Sequence, residues 1–203
     1  MDENEVEGVL AFLQRAENLK STLRYAWTSS GREESTAEHS WRLSLLALLC
    51  SHRFPDADPA RLLKIAVVHD LGEAICGDVP APQQTASDGR AAREREAVRD
   101  LCSTLPPDMA ADLLGLWEDY AQGQSREAVI IKALDKLETL IQHNQGLNPR
   151  HFDFTFNLDY GKKQTDPLPE LAELRQAVDR ATAANAAAPG CENRSATSFP
   201  GKG

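Results

Sequence analysis

The segment Val67-Val68-His69-Asp70-Leu71-Gly72-Glu73 sets an imidazole and a carboxylate side by side, directly after the most apolar stretch of the chain. On a helix, neighbouring side chains point about 100° apart, so this pair reaches one ion only from a helix edge that faces a cleft. Glu73 follows His69 by four residues and Asp70 by three, on the same face one turn along. Water on an ion held by the pair would lie near that glutamate. Two further polar residues sit in matching helical contexts: His39, early in the run that carries Trp41, Leu45 and Leu49, and Asp135, inside Val129-Ile130-Ile131-Lys132-Ala133-Leu134-Asp135-Lys136-Leu137. A carboxylate flanked by that much apolar sequence is costly to bury unless it is paired or bound to a metal. His39, His69, Asp70 and Asp135 together would make an N2O2 shell for a divalent transition ion. The competing reading pairs Asp135 with Lys132 on a solvated helix face. His52, His143 and His151 read as ordinary surface or core histidines.

Helices must position these groups, because helical spacing runs through almost the whole chain. Val6, Val9, Leu10, Leu13, Ala16 and Leu19 form one stripe from Glu5 to Leu23, which predicts a first helix burying that face. A polar break at Thr28-Ser29-Ser30-Gly31 follows. Ser35-Thr36-Ala37-Glu38 then has the capping-box pattern of a helix running to about Arg53. Asp58-Pro59 starts a third, apolar on most faces, which reads as the central and most buried helix and stops before Gly77. Gly77 to Gly89 reads as a loop. Further helices are predicted over Arg90–Leu105, Asp108–Gln122, Arg126–Gln145 and Leu168 to about Ala181, with an ordered loop over His151–Tyr160. The expectation is an all-α, single-domain bundle over residues 1–181 and a flexible, disordered C-terminal tail over 182–203.

These residues resemble the HD-domain metal-dependent phosphohydrolases, whose H…HD…D signature is matched by His39, His69-Asp70 and Asp135. The flanking words Glu38-His39-Ser40, His69-Asp70-Leu71-Gly72-Glu73 and Gly77-Asp78-Val79-Pro80 are similar to the 5′-deoxynucleotidase branch, over roughly Leu13 to Gln145. The resemblance implies that His39, His69, Asp70 and Asp135 bind the metal and that Glu73 activates or positions the attacking water. It implies that Asp78 and the Val79-Pro80-Ala81 turn approach the sugar and phosphate, and that Arg24 orients the phosphate. The branch carries tryptophan directly after this arginine, whereas this chain reads Arg24-Tyr25-Ala26-Trp27, so either Trp27 or Tyr25 takes that substrate contact. No histidine lies between Asp70 and Asp135, and two-metal relatives usually have extra ones there, so one divalent ion is expected. The ligand set alone does not separate cobalt, manganese, zinc and iron.

The chain carries 22 basic and 31 acidic residues among 203, a net charge of −9. That field repels nucleic-acid backbones and anionic membranes, so a phosphate substrate needs a local cation or a placed arginine. Four scattered cysteines without a CxxC pair point to a reducing, cytoplasmic compartment. No apolar run approaches the roughly 20 residues that span a bilayer, and the acidic start MDENEVEG is unlike a signal peptide. The expected substrate is therefore a small nucleotide, with neither a nucleic-acid polymer nor a membrane as partner. The leading reading is hydrolysis of (deoxy)nucleoside 5′-monophosphates to nucleoside and phosphate. The alternatives are a dNTP triphosphohydrolase with the same mononuclear site, a regulatory module with a decayed site, and a purely structural bundle. The resemblance implies a homodimer, for which the excess of Leu113, Leu114, Leu116 and Trp117 nominates the helices Arg90–Leu105 and Asp108–Gln122.

Overall fold

A computed structural model describes residues 1–84 and 89–188. Asp2 and Glu5 form a capping box on α1 (Glu3–Ala16). The chain then tightens into a 3-10 turn at Glu17–Lys20 and leaves helical geometry altogether. An antiparallel hairpin follows, β1 (Leu23–Trp27) and β2 (Glu33–Ser35). The 3-10 turn and the residues leading into the hairpin replace the end of the first helix, predicted to Leu23. Leu19 keeps the helical spacing into the 3-10 turn, which is why the stripe hides the boundary. α2 (Thr36–Cys50) opens on the expected Ser35/Glu38 capping box, and α3 (Pro59–Val68) on Asp58 with proline at its first position. The remaining elements are α4 (Glu73–Cys76), α5 (Arg90–Cys102), α6 (Pro107–Gln122), α7 (Arg126–Gln145), α8 (Lys162–Thr165) and α9 (Ala172–Ala186). The segment 151–160 is a loop containing a 3-10 turn at Phe156–Leu158.

The central helix is α7, not α3. Twelve of its residues are buried, including Ile130, Ile131, Leu134, Asp135, Leu137 and Glu138. α3 buries Leu62, Ile65, Ala66 and Val68, while Val67 is exposed. One core joins α7 to α2, α3 and α9 through Leu43, Leu62, Ile65, Leu134, Leu137 and Val178. A second lies under α1, α5 and α6, built on Phe12, Leu19, Val98, Leu101 and Trp117. Val68 and Leu71 belong to the second core and Leu62, Ile65 and Ala66 to the first, so the end of α3 and the turn after it sit at the seam.

Three expectations change. The α1 stripe is only partly buried: Phe12 and Leu19 enter the core, whereas Val6, Leu10 and Leu13 face outward. Leu113, Leu114 and Leu116 pack against the second core beside buried Trp117, so α6 does not present them as a free apolar face. The last helix continues to Ala186, past the boundary set at residue 181, because Thr182 is fully buried and hydrogen-bonded to Asn144. Residues 189–203 of the predicted tail lie outside the described residues.

Candidate metal centre and its cavity

α3 ends where the chemistry begins. His69 keeps helical dihedrals, and its Nδ1 meets the carbonyl of Ala66 at 2.9 Å, occupying one of the acceptors a helix end leaves open. The chain then tightens into i→i+3 bonds, Leu71 N to Val68 O and Glu73 N to Asp70 O, and restarts as α4. A helix interior would splay His69 and Asp70 apart; this turn brings His69 Nε2 to 2.9 Å from Asp70 Oδ2. Gly72 allows the close packing behind it, since a Cβ there would press to 3.2 Å on the Glu94 carbonyl and 3.3 Å on Val98.

His39, in the first turns of α2, and Asp135, in the middle of α7, arrive from the opposite wall. His39 Nε2 lies 3.3 Å from Asp135 Oδ1 and 3.7 Å from Asp70 Oδ2, and the two imidazole centroids are 5.3 Å apart. Ligand atoms of His39, His69 and Asp70 all fall within 4.8 Å of one another. Asp135 is oriented by its second oxygen: Tyr120 Oη and Lys136 Nζ each donate to Oδ2 at 2.8 Å, leaving Oδ1 toward His39. Its cationic partner is thus Lys136; Lys132 sits instead over the Tyr120 ring, 4.3 Å from its centroid.

The unsatisfied atoms of the donor set match a divalent ion. Both histidines are buried, both engage Nδ1 elsewhere, and both Nε2 atoms lack a hydrogen-bond partner. Two inward-facing imidazole nitrogens beside the buried carboxylate of Asp135 and the partly buried one of Asp70 fit a cation. Without one, protons compensate: burial and Arg24 pull the His39 imidazolium down, but Glu138 and Asp135 outweigh them and hold its pKa above the ordinary range.

His69, Asp70 and Asp135 open onto a cavity of about 1800 Å³, lined also by Arg24, Glu73, Asp78, Tyr25 and Phe152 among others. Glu73 is buried at the start of α4, and its Oε2 accepts from Thr36 Oγ1 at 2.9 Å. Burial, reinforced by Asp70 and Asp78, pushes its pKa up, while burial also raises that of Asp78. Arg24 reaches in from β1. Its Nη2 donates to Thr139 Oγ1 at 3.2 Å, and its Nη1 lies 3.7 Å from Asp70 Oδ2 and its Nε 3.6 Å from Glu34 Oε2. Val79, Pro80 and Ala81 also line the cavity.

Trp27 is brought elsewhere. Tyr25 faces the cavity, and the Trp27 indole packs edge-on behind it, 4.9 Å from the tyrosine ring and 6.0 Å from Phe152. The Trp27 carbonyl accepts from the Gln142 side chain, and Gly146 permits that approach, since a Cβ there would lie 2.1 Å from the same oxygen. Of the two aromatic candidates, the geometry therefore turns Tyr25 to the cavity.

Sequence reasoning missed Glu138, Glu34, Arg42 and Tyr120. Glu138 follows Asp135 by three residues, the same helix face, and that spacing was a usable signal. Glu34 and Arg42 offer none, because only the crossing of the hairpin and α2 over α7 brings them inward.

His143, on the cavity wall, is held by burial at a pKa of about 4 against an ordinary 6.5. Below pH 6.5 the unfolded chain takes up a proton that the folded chain refuses, so stability falls as pH drops from 6.5 toward 4. This group contributes up to about 3 kcal/mol to that loss. Denaturant unfolding at pH 4 to 7 should show a shallower fall for His143→Gln than for the wild-type chain.

Residues 16–175 match the family model of the HD domain. The chain is 31% identical over 139 residues to the human 5′-deoxynucleotidase HDDC2, covering 68% of this chain and 67% of that protein. It is 33% identical over 140 residues to the 5′-deoxynucleotidase hdd1 of Schizosaccharomyces pombe, covering 66% of this chain and 70% of the relative. Among solved structures, a predicted metal-dependent phosphohydrolase from Magnetospirillum magnetotacticum superposes with a TM-score of 0.69 at 28% identity, over 92% of this chain and 100% of that one.

Proposed function

This chain belongs to the HD domain family, and from that premise we propose that it is a metal-dependent phosphohydrolase releasing inorganic phosphate from (deoxy)nucleoside 5′-monophosphates. The observation that carries the reading is the convergence of two Nε2 atoms without hydrogen-bond partners and the carboxylates of Asp70 and Asp135 at the edge of a cavity that also presents Arg24 and Glu73. The relatives named 5′-deoxynucleotidase point to the same substrate class.

In this reading His39, His69, Asp70 and Asp135 hold one divalent cation. When bound, such an ion supplies Lewis acidity toward a phosphoryl oxygen and lowers the pKa of water. The family resemblance makes cobalt and manganese the ions to try first, since the N2O2 set itself does not choose among divalent transition ions. Arg24 clamps the phosphate, its guanidinium already aimed by Thr139, Glu34 and Asp70. Glu73 takes the proton of the attacking water at Oε1, because Thr36 occupies Oε2. Asp78, Val79, Pro80 and Ala81 form the wall against the sugar, with Tyr25 taking the aromatic contact and Trp27 supporting it from behind. Phosphoryl transfer of this kind requires mainly charge neutralisation and alignment.

The assembly is a homodimer in a cytoplasmic setting. Trp41, Leu45, Leu48 and Leu49 recur at helical spacing along α2 and are all exposed, a continuous apolar stripe that supports pairing there rather than through α5 and α6. Sedimentation equilibrium should give a mass near twice 22.3 kDa. Among the described residues no helix is long and apolar enough to cross a membrane, and Cys50, Cys76 and Cys102 are free thiols.

The deciding experiment strips the protein of metal, restores Co²⁺ or Mn²⁺, and offers matched NMP, dNMP and dNTP panels. Phosphate from dNMPs above NMPs supports the proposal. Tripolyphosphate from dNTPs with dNMPs inert would replace it with triphosphohydrolysis at the same site.

A further inference from the structure

Behind the metal centre lies a second, wholly buried group of possible ligands: Glu34, His39 and Glu138. Glu138, on α7, is 1% exposed and touches His39 Nδ1 with Oε2, while Arg42 Nε donates to its Oε1 at 2.5 Å and Arg42 Nη2 reaches its backbone carbonyl at 3.4 Å. Taken by ligand types alone, this cluster could hold a second ion. The surrounding charges argue otherwise. Both carboxylates already face guanidiniums, Glu138 that of Arg42 and Glu34 that of Arg24 at 3.6 Å. A cation there would sit against two arginines, and an imidazole bonded to metal through both nitrogens would have to lose both protons.

We propose that Glu138 is a positioning residue: it accepts the His39 Nδ1–H, fixes the tautomer and ring plane, and so turns the Nε2 lone pair toward Asp70 and Asp135, while Arg42 holds the carboxylate in place. A carboxylate can only accept from Nδ1, which leaves Nε2 without a proton when the imidazole is neutral. Such outer carboxylates orient a ligand and raise its basicity. His69 lacks this partner, since its Nδ1 meets a backbone carbonyl instead. The two histidines are therefore unequal ligands, and His39 is the one under side-chain control. The inference rests on the reading of His39 as a metal ligand but not on the identity of the substrate.

Metal-free full-length protein is titrated with Co²⁺, following its visible absorption, with affinity set by competition against a chelator. Far-UV circular dichroism checks the fold of each variant. The wild-type chain should take up one ion per chain. Glu138→Gln keeps an acceptor without the charge and should weaken binding about 10- to 100-fold. Glu138→Leu, with no acceptor, should weaken it further and change the Co²⁺ spectrum. A purely structural role would lower the unfolding midpoint without moving the affinity of the folded protein. Wild-type affinity and spectrum in folded Glu138→Gln would overturn the proposal. So would two ions in the wild-type chain and one in the variant, which would make the cluster a metal site in its own right. If neither variant folds, ¹⁵N NMR of the Zn²⁺-loaded wild-type chain decides: a His39 proton on Nδ1 supports the proposal, and one on Nε2 refutes it. None of these measurements needs substrate, so a failed nucleotidase assay leaves their outcome intact.

Discussion

Replacing Asp70 by alanine is expected to lower phosphate release by at least about 10³-fold and to abolish the stabilisation that Co²⁺ gives the wild-type chain. The size follows from where the carboxylate stands: its Oδ2 lies 2.9 Å from His69 Nε2, 3.7 Å from His39 Nε2 and 3.7 Å from Arg24 Nη1. On the proposed assignment, one substitution thus removes a metal ligand and loosens the arginine that would aim the phosphate. A loss of 10³ in rate corresponds to about 4 kcal/mol of transition-state stabilisation. In metal-free protein burial works against the Asp70 carboxylate but His69 and His39 hold it ionised, while Asp70 in turn adds to burial in disfavouring ionisation of Glu73, so the change removes attractive as well as repulsive contacts. Far-UV circular dichroism should show the metal-free variant folded. A ligand that binds only the folded state at 100 times its Kd stabilises by about 2.7 kcal/mol. Thermal unfolding with and without Co²⁺ should show that rise in the wild-type chain alone. Full turnover with one metal per chain in Asp70→Ala would sink the site assignment.

Glu73→Gln should separate chemistry from metal binding. Gln still offers Thr36 an acceptor at the position of Oε2, so α4 and the turn before it keep their contact. The amide cannot take a proton, and a positioned acid–base group contributes typically about 10²–10⁴-fold. The expected result is a kcat lowered by that factor, with KM and Co²⁺ content close to wild type. A kcat within about threefold of wild type would remove Glu73 from the proton transfer. Reading both variants side by side distinguishes a lost ligand from a lost base, because only Asp70→Ala should change metal content.

What was legible in the sequence was the part written in helical phase. His39, His69, Asp70 and Asp135 could be singled out because ionisable residues stood where apolar periodicity demanded burial, and burial of such groups calls for a partner. The capping boxes and the Asp58-Pro59 start gave helix beginnings for the same local reason. Three things depended on packing between distant segments. The hairpin that delivers Arg24 went unpredicted, because β1 is only five residues long and follows directly on a helical stripe that runs into a 3-10 turn. α3 looked more buried than α7, because an apolar side chain such as Val67 carries no mark of whether another element covers it. Glu138 was given no role: its spacing from Asp135 placed it on the same helix face, but only the packing of α2 lays His39 and Arg42 against it.

The early end of α3 also has an electrostatic consequence. Peptide dipoles along a helix add to roughly half a negative charge at its C-terminus, and it is this end, at Val68, that carries His69 and Asp70. The backbone thus favours a cation at the site before any side chain is counted. It offers a phosphate the opposite: in many phosphate sites a helix N-terminus with its free N–H groups grips the anion, but here the neighbouring helix end is the repulsive one. Attraction for the substrate must come from the bound cation and from cationic side chains on the cavity wall, among them Arg24 on its short strand. The framework of this enzyme favours a cation, and the affinity for its anionic substrate is added by side chains.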